Sequence, residues 1–102
     1  MIVATVMYPK SEHSRFDFDY YLTKHIPLLK ERLEPLGLKG VRLMHGTGMS
    51  DGSSPVFEVV AELEFSSLEA LRDALARHGG ELIADIPNYT NVQPGIQFNE
   101  LM

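Results

Sequence analysis

The sequence has 102 residues, of which 44% are hydrophobic and 23% charged, and this size suits one compact domain spanning residues 1–102. It contains no cysteine, which excludes a disulfide framework, a thiolate nucleophile and cysteine-held metal clusters. Nine Lys and Arg against fourteen Asp and Glu give a formal net charge of −5, which disfavours nucleic acid as a partner. Because no basic leader and no run of about 18 apolar residues occurs, we expect a soluble cytoplasmic protein without a membrane partner.

The first half of the chain predicts a strand followed by a long helix. Residues 2–8 are rich in β-branched side chains and end at Pro9, which cannot donate a hydrogen bond to a sheet. Asp17 or Asp19 can cap a helix that runs from about residue 17 to about residue 34. Its apolar positions step by three or four residues, as in an amphipathic helix: Phe18, Leu22, Ile26, Leu29 and Leu33.

Three more strands and a second helix follow. Residues 56–65 give the clearest strand, because apolar side chains alternate there with a mixed set. The remaining predicted elements are a short strand over 41–45, a helix from Ser66 or Ser67 to His78-Gly79-Gly80, a helical turn over 81–86 and a last strand over 92–101. The element order is therefore β-α-β-β-α-β.

This order predicts an α+β protein with the ferredoxin-like arrangement, a four-stranded antiparallel sheet with both helices on one face. The other sheet face is then bare. Alternation places on it either Ile2, Ala4 and Val6 or Val3, Thr5 and Met7, together with a mixed set that includes Arg42, Met44, Val60, Glu62, Gln97 and Asn99. A second copy packed sheet to sheet would cover the apolar members, which predicts a homodimer, and a small ligand would fit between sheet and helices.

RNA-binding modules share this topology, but they expose aromatic and basic residues on their central strands. The third strand instead offers Glu58, Glu62 and Glu64 beside Val60. The acidic strand therefore argues against an RNA-binding function.

The segment Tyr20-Tyr21-Leu22-Thr23-Lys24-His25-Ile26-Pro27-Leu28 carries the first candidate chemistry. Pro27 removes a helical hydrogen bond and predicts a kink or restart beside His25. Tyr21 precedes His25 by four residues, so both side chains project from one side of the helix and can flank one ligand. Imidazole is well suited to proton transfer near neutral pH. The alternative is a partly buried histidine that only fixes the kink.

The segment Ala84-Asp85-Ile86-Pro87-Asn88-Tyr89-Thr90 is the second candidate. Asp85 can orient His25 or bind a ligand, while Asn88 and Tyr89 offer an amide and a phenol. The alternative is a turn that uses Asp, Pro and Asn for its own backbone. No pair of histidines has metal-ligand spacing, and the glycine-rich stretch at 46–49 lacks the lysine and helix of a phosphate loop, so we expect no metal and no cofactor.

Together the two segments resemble the EthD family of dimeric α+β-barrel proteins, and the resemblance spans nearly the whole chain. It implies a ferredoxin-like protomer, a homodimer closed through its sheets and a cavity between sheet and helices. The family takes its name from a bacterial ether-degradation cluster that encodes an oxygenase system, and its wider superfamily includes lactone isomerases and cofactor-free monooxygenases. The family's histidine before Ile-Pro falls on His25.

Two functions remain open from the sequence. One is a cofactor-free lyase, isomerase or oxygenase component that acts on a small hydrophobic or aromatic compound, with His25 as general acid or base, Tyr21 as its neighbour and Asp85 as orienting carboxylate. The other is a non-catalytic carrier of such a compound. The further candidate ligand contacts are Tyr20, Met44, Val60, Asn88 and Tyr89.

Overall fold

The computed structural model describes all 102 residues and contains four strands in one sheet. The strands and helices, in chain order, are β1 (Ile2–Pro9), α1 (Phe18–Tyr20), a π-helical turn (Tyr21–His25), α2 (Ile26–Leu33), a 3₁₀ turn (Glu34–Leu36), β2 (Leu38–His45), β3 (Phe57–Phe65), α3 (Leu68–Asp85), a 3₁₀ turn (Ile86–Asn88) and β4 (Gly95–Glu100). The sheet order is β2-β3-β1-β4, and every neighbouring pair is antiparallel. This confirms the predicted ferredoxin-like α+β fold.

The strand pairing decides which residues face the helices. Ala4 pairs with Leu63 and Tyr8 with Val59, and all four are buried. Alternation therefore turns the odd-numbered residues of β1 to the bare face, so that the second of the two predicted sets, Val3, Thr5 and Met7, lies there. None of the helices combines the length and the apolar character needed to cross a membrane.

The first helical segment is continuous but not uniformly α-helical. The Asp17 side chain accepts a hydrogen bond from the Tyr20 amide at 3.0 Å and so caps its start. The Ile26 amide donates to the Tyr21 carbonyl, five residues back, and this defines the π-helical turn. The defect expected beside Pro27 therefore takes the form of one wide turn, which absorbs the missing proline amide without breaking the helix.

The second helix is longer than the sequence predicted. The expected stop at His78-Gly79-Gly80 is wrong, because α3 continues to Asp85 and neither glycine takes a left-handed backbone. Leu82, beyond the glycines, is buried in the core, and its packing outweighs the low helix propensity of glycine. Strand bounds differ by smaller amounts. β2 begins at Leu38 rather than at residue 41, and β4 begins at Gly95, after Pro94, rather than at residue 92.

The interior contains two apolar clusters on the helix side of the sheet. The larger cluster joins strands and both long helices, and its members include Ala4, Leu33, Leu63, Phe65, Leu71 and Ala74. The smaller cluster is rich in aromatic residues, and its members are Tyr8, Tyr21, Ile26, Val59 and Tyr89. The second cluster thus brings polar hydroxyl groups into a buried region.

We expect Leu71→Ala to lower the free energy of unfolding by about 2–5 kcal/mol, because Leu71 is fully buried and its removal leaves a cavity. The matched control is Leu22→Ala, since Leu22 is 53% exposed and should change the free energy of unfolding by less than about 0.5 kcal/mol. Urea denaturation measures both values. Equal losses in the two variants would contradict the assigned core.

Candidate active site

A largely apolar cavity of about 240 Å³ lies between the sheet and the helices. Its apolar wall comes from three strands and both long helices, and includes Val6, Leu29, Ala61, Leu63, Ile83 and Ile96. Tyr8, Tyr21 and His25 are its residues with polar side-chain groups, and no Lys, Arg, Asp or Glu lines it. The cavity therefore suits a mainly apolar molecule that meets polar groups from a few side chains.

His25 is buried, with 4% of its surface exposed, yet it reaches the cavity. Its Nδ1 lies 2.9 Å from Asp85 Oδ2, and its Nε2 lies 3.3 Å from the Tyr89 hydroxyl. Tyr21 stacks on the imidazole, with ring centroids 5.6 Å apart and an angle of 14° between the planes. The ring is thus held by contacts at its face and at both nitrogens.

Asp85 accepts three hydrogen bonds from side chains of different segments. Besides His25, the Tyr20 hydroxyl donates at 2.7 Å and the Asn88 amide at 2.9 Å. Burial by itself raises the pKa of the Asp85 carboxyl, but the bonds from Asn88, Tyr20 and His25 outweigh it and leave this pKa below its ordinary value. Asp85 is therefore ionised at neutral pH and accepts a hydrogen bond from Nδ1–H of His25. In the tautomer that this bond selects, Nε2 carries no proton and can accept a hydrogen bond.

Two buried phenols extend this network from Nε2 into the cavity. The Tyr89 hydroxyl lies 2.6 Å from the Tyr8 hydroxyl, and Tyr8 lines the cavity. Burial raises the pKa of both tyrosines, and for Tyr89 the proximity of Tyr8 adds to the effect. Both phenols therefore keep their protons, and a continuous row of hydrogen bonds links Tyr8, Tyr89, His25 and Asp85.

Local folding explains why these groups meet. The π-helical turn ends at His25 and packs both Tyr21 and His25 inward. Asp85 is the last residue of α3, and the 3₁₀ turn that follows brings Asn88 back within reach of its carboxylate. The two segments are 60 residues apart in the chain, and their meeting depends on the packing of α3.

The structure places the other sequence-predicted residues in two locations. Tyr20, Asn88 and Tyr89 surround Asp85 and His25 but do not line the apolar cavity. Met44 and Val60 lie on the bare sheet face, because they pair with each other and alternate with residues on the helix side. They therefore do not line this cavity, although the sequence predicts both as candidate ligand contacts.

Sequence reasoning missed Tyr8. The available signal was its place in the alternation of β1, where it shares a side with Ala4 and Val6, just before the strand ends at Pro9. That pattern left the choice of face open, and the pairing with Val59 decides it. No three His, Asp or Glu side chains come together in a way that would hold a metal ion.

Because the folded state lowers the pKa of Asp85, its carboxylate stabilises the fold above the unfolded pKa of about 3.9, and this contribution is lost as pH falls through the lower folded value. We expect Asp85→Asn to cost about 1–3 kcal/mol at pH 7 and to reduce the loss of stability on acidification. Urea denaturation from pH 7 to pH 3 measures both effects. Asp73→Asn is the control, since the Asp73 side chain is 51% exposed. An unchanged acid dependence in Asp85→Asn would contradict the assignment.

Comparisons with known proteins show which family this chain resembles. No protein-family model matches the chain, and neither does any curated protein. Among solved structures, an EthD-like protein from Ralstonia eutropha JMP134 is 35% identical, with a TM-score of 0.90 over 97% of this chain and 89% of the other. An EthD family protein from Bacillus halodurans C-125 is 21% identical, with a TM-score of 0.71 over 100% of this chain and 99% of the other.

A third solved structure supports the same fold. It is a dimeric ferredoxin-like protein of unknown function from Jannaschia sp. CCS1, 19% identical, with a TM-score of 0.61 over 98% of each chain. The first of the three similarities extends over most of both chains at substantial sequence identity. This chain therefore belongs to the EthD-like family.

Proposed function

We propose that this protein binds a small, largely apolar compound in the cavity and moves a proton to or from it, with His25 as general base and acid. The observation that carries the proposal is the pairing of a buried histidine, which lines an apolar cavity, with the carboxylate of Asp85 at 2.9 Å. Asp85 fixes the tautomer and stabilises the positive charge that forms when Nε2 takes a proton. It is a positioning residue, while His25 meets the ligand.

The lining of the cavity restricts the ligand. A charged molecule would lose its water there without meeting an opposite charge, because no Lys, Arg, Asp or Glu faces the space. A carbonyl or hydroxyl group, in contrast, can accept or donate a hydrogen bond at Tyr8 or His25. The best fit is a neutral, mainly apolar or aromatic molecule with one such group and an acidic proton nearby.

This chemistry is common to the lyase, isomerase and oxygenase-component reactions expected from the sequence, since each needs a proton to be removed or supplied. When the ligand displaces Tyr89 from Nε2, the Tyr89 hydroxyl can donate to the Tyr8 oxygen instead. The Tyr8 phenol, which keeps its proton, is then free to donate to a carbonyl oxygen as negative charge develops on it. His25 can take the proton from the neighbouring carbon. The residues thus supply a donor and a base at the same end of one apolar cavity.

A carrier without catalysis is the second candidate, and one observation favours it. Both ring nitrogens of His25 already have partners, Asp85 and Tyr89, as in a histidine that serves structure alone. In a carrier, Tyr89 would keep Nε2 occupied. In an enzyme, the 3.3 Å contact from Tyr89 would give way to the ligand.

Proton exchange on a model ketone separates the two functions. The probe is 2-tetralone, an apolar two-ring ketone with acidic protons beside its carbonyl, followed by proton NMR in D₂O. We expect the protein to accelerate the loss of these proton signals beyond the buffer rate. His25→Gln, which places an amide where the imidazole was and has no basic nitrogen, should lower the acceleration by roughly 10²-fold or more. Binding of 2-tetralone is measured in parallel.

The control for this experiment is Thr23→Ala, which alters the same helical turn on its exposed side. It should exchange protons like the unchanged protein. Binding of 2-tetralone without accelerated exchange would favour the carrier, and absence of both would contradict a ligand-binding cavity for this class of molecule.

We also propose that two copies associate through the bare sheet face. Register aligns Met44, Val60 and Met7 across three strands, and the apolar row that they form lies on the side without helices. Beside this row, Arg42 Nε donates a hydrogen bond to Glu62 Oε1 at 2.9 Å, so polar side chains border the apolar row. A structural neighbour is described as a dimeric ferredoxin-like protein, which supports the association of two copies.

We expect Val60→Lys to shift the protein from dimer to monomer, because the substitution would bury a charge in the centre of the apolar row. Light scattering coupled to size-exclusion chromatography at micromolar concentration measures the mass. Ala76→Lys, on the exposed side of α3, is the control and should leave the mass unchanged. A monomeric mass for the unchanged protein would refute this interface.

A further inference from the structure

Two successive glycines lie within the cavity wall, in the middle of a helix that they do not interrupt. Gly79 and Gly80 both line the cavity, and α3 continues for five residues beyond them. After proline, glycine is the residue that least favours a helix interior. A glycine is usually found where the backbone is left-handed or where another chain segment packs closely against it.

Neither of those reasons applies here. Gly79 and Gly80 do not take a left-handed backbone, and the turn that sequence reasoning expected does not occur. A Cβ atom built at Gly80 would meet nothing within 4 Å, and one at Gly79 would meet only the Leu75 Cβ at 3.7 Å, an ordinary contact. Within this chain, a methyl group would therefore fit at both positions, and the space that it would occupy is left empty.

We infer that Gly79 and Gly80 are specificity-determining positions, which leave the α3 wall bare so that the ring system of the ligand lies against the helix backbone. This inference rests on the proposed function and deepens it. His25 meets α3 at Asp85, five residues beyond Gly80 and so about 7.5 Å further along the helix axis, which separates the polar groups around His25 from the glycines. A ligand therefore turns its carbonyl or hydroxyl to these groups and its apolar body to the glycines.

The size and shape of the space indicate the ligand class. An apolar cavity of about 150 Å³ holds a benzene molecule, so a cavity of about 240 Å³ has room for a larger molecule. Successive helix residues point about 100° apart, so a pair of glycines clears a strip that is broad across the helix axis. A broad strip suits a two-ring system better than a narrow alkyl chain.

Two phenolic probes test the inference, phenol with one ring and 2-naphthol with two, each titrated by ligand-observed NMR. We expect Gly79→Val to lower the affinity for 2-naphthol by about tenfold or more and the affinity for phenol by less than about threefold. The new side chain takes up space that only the larger probe needs. Ala76→Val, on the exposed side of the same helix, is the matched control and should leave both affinities unchanged.

A second variant keeps the test independent of folding defects. Replacing both glycines by alanine should raise the melting temperature by about 4 °C or more, because alanine favours the helix. The same variant should still lower the affinity for 2-naphthol more than the affinity for phenol. An equal loss of affinity for both probes, or no loss of affinity in either glycine variant, overturns the inference. Failure of the unchanged protein to bind either probe would instead overturn the proposed ligand cavity, and with it the role of the glycines.

Discussion

The hydrogen bond between His25 Nδ1 and Asp85 Oδ2 joins the two parts of the chain that hold the candidate base in place. It connects the π-helical turn of the first helical segment to the last residue of α3. Because the bond is largely shielded from water, each partner depends on the other: an unpaired carboxylate or imidazole at this depth would be costly. The tautomer of His25, and so the basic nitrogen offered to Tyr89 and the cavity, follows from this contact.

The aromatic cluster allows such a network to be buried in an apolar interior. Tyr8, Tyr21 and Tyr89 bury large ring surfaces, and their rings meet edge to face or tilted, while the hydroxyls of Tyr8 and Tyr89 bond to each other. Burial raises the pKa of each phenol, so the cluster supplies proton donors and no additional charge. A small EthD-like fold thereby combines a largely apolar cavity with one ionised carboxylate behind its histidine.

The candidate site shows where prediction from the sequence ends. The four-residue spacing correctly placed Tyr21 beside His25, because helical neighbours are fixed by local geometry. The idea that Asp85 meets His25 was one of several roles that its turn-like surroundings allowed. The alternation of β1 grouped Tyr8 with Ala4 and Val6 but left open which face they share, since that depended on strand pairing. Gly79 and Gly80 were misread as a helix end, because the burial of Leu82 beyond them is a tertiary effect.

By itself, the sequence determined the order of strands and helices and the ferredoxin-like fold, since periodicity acts over a few residues. It narrowed the helix caps to Asp17 or Asp19 and to Ser66 or Ser67, and the structure has Asp17 and Ser67. The tertiary structure alone decided which face of β1 is buried, how far α3 extends and which phenol reaches the cavity. Those features depend on contacts between residues that are far apart in the chain, such as Tyr8 with Val59 and His25 with Asp85. Local propensity does not predict such contacts, because their energy arises only when distant segments pack together.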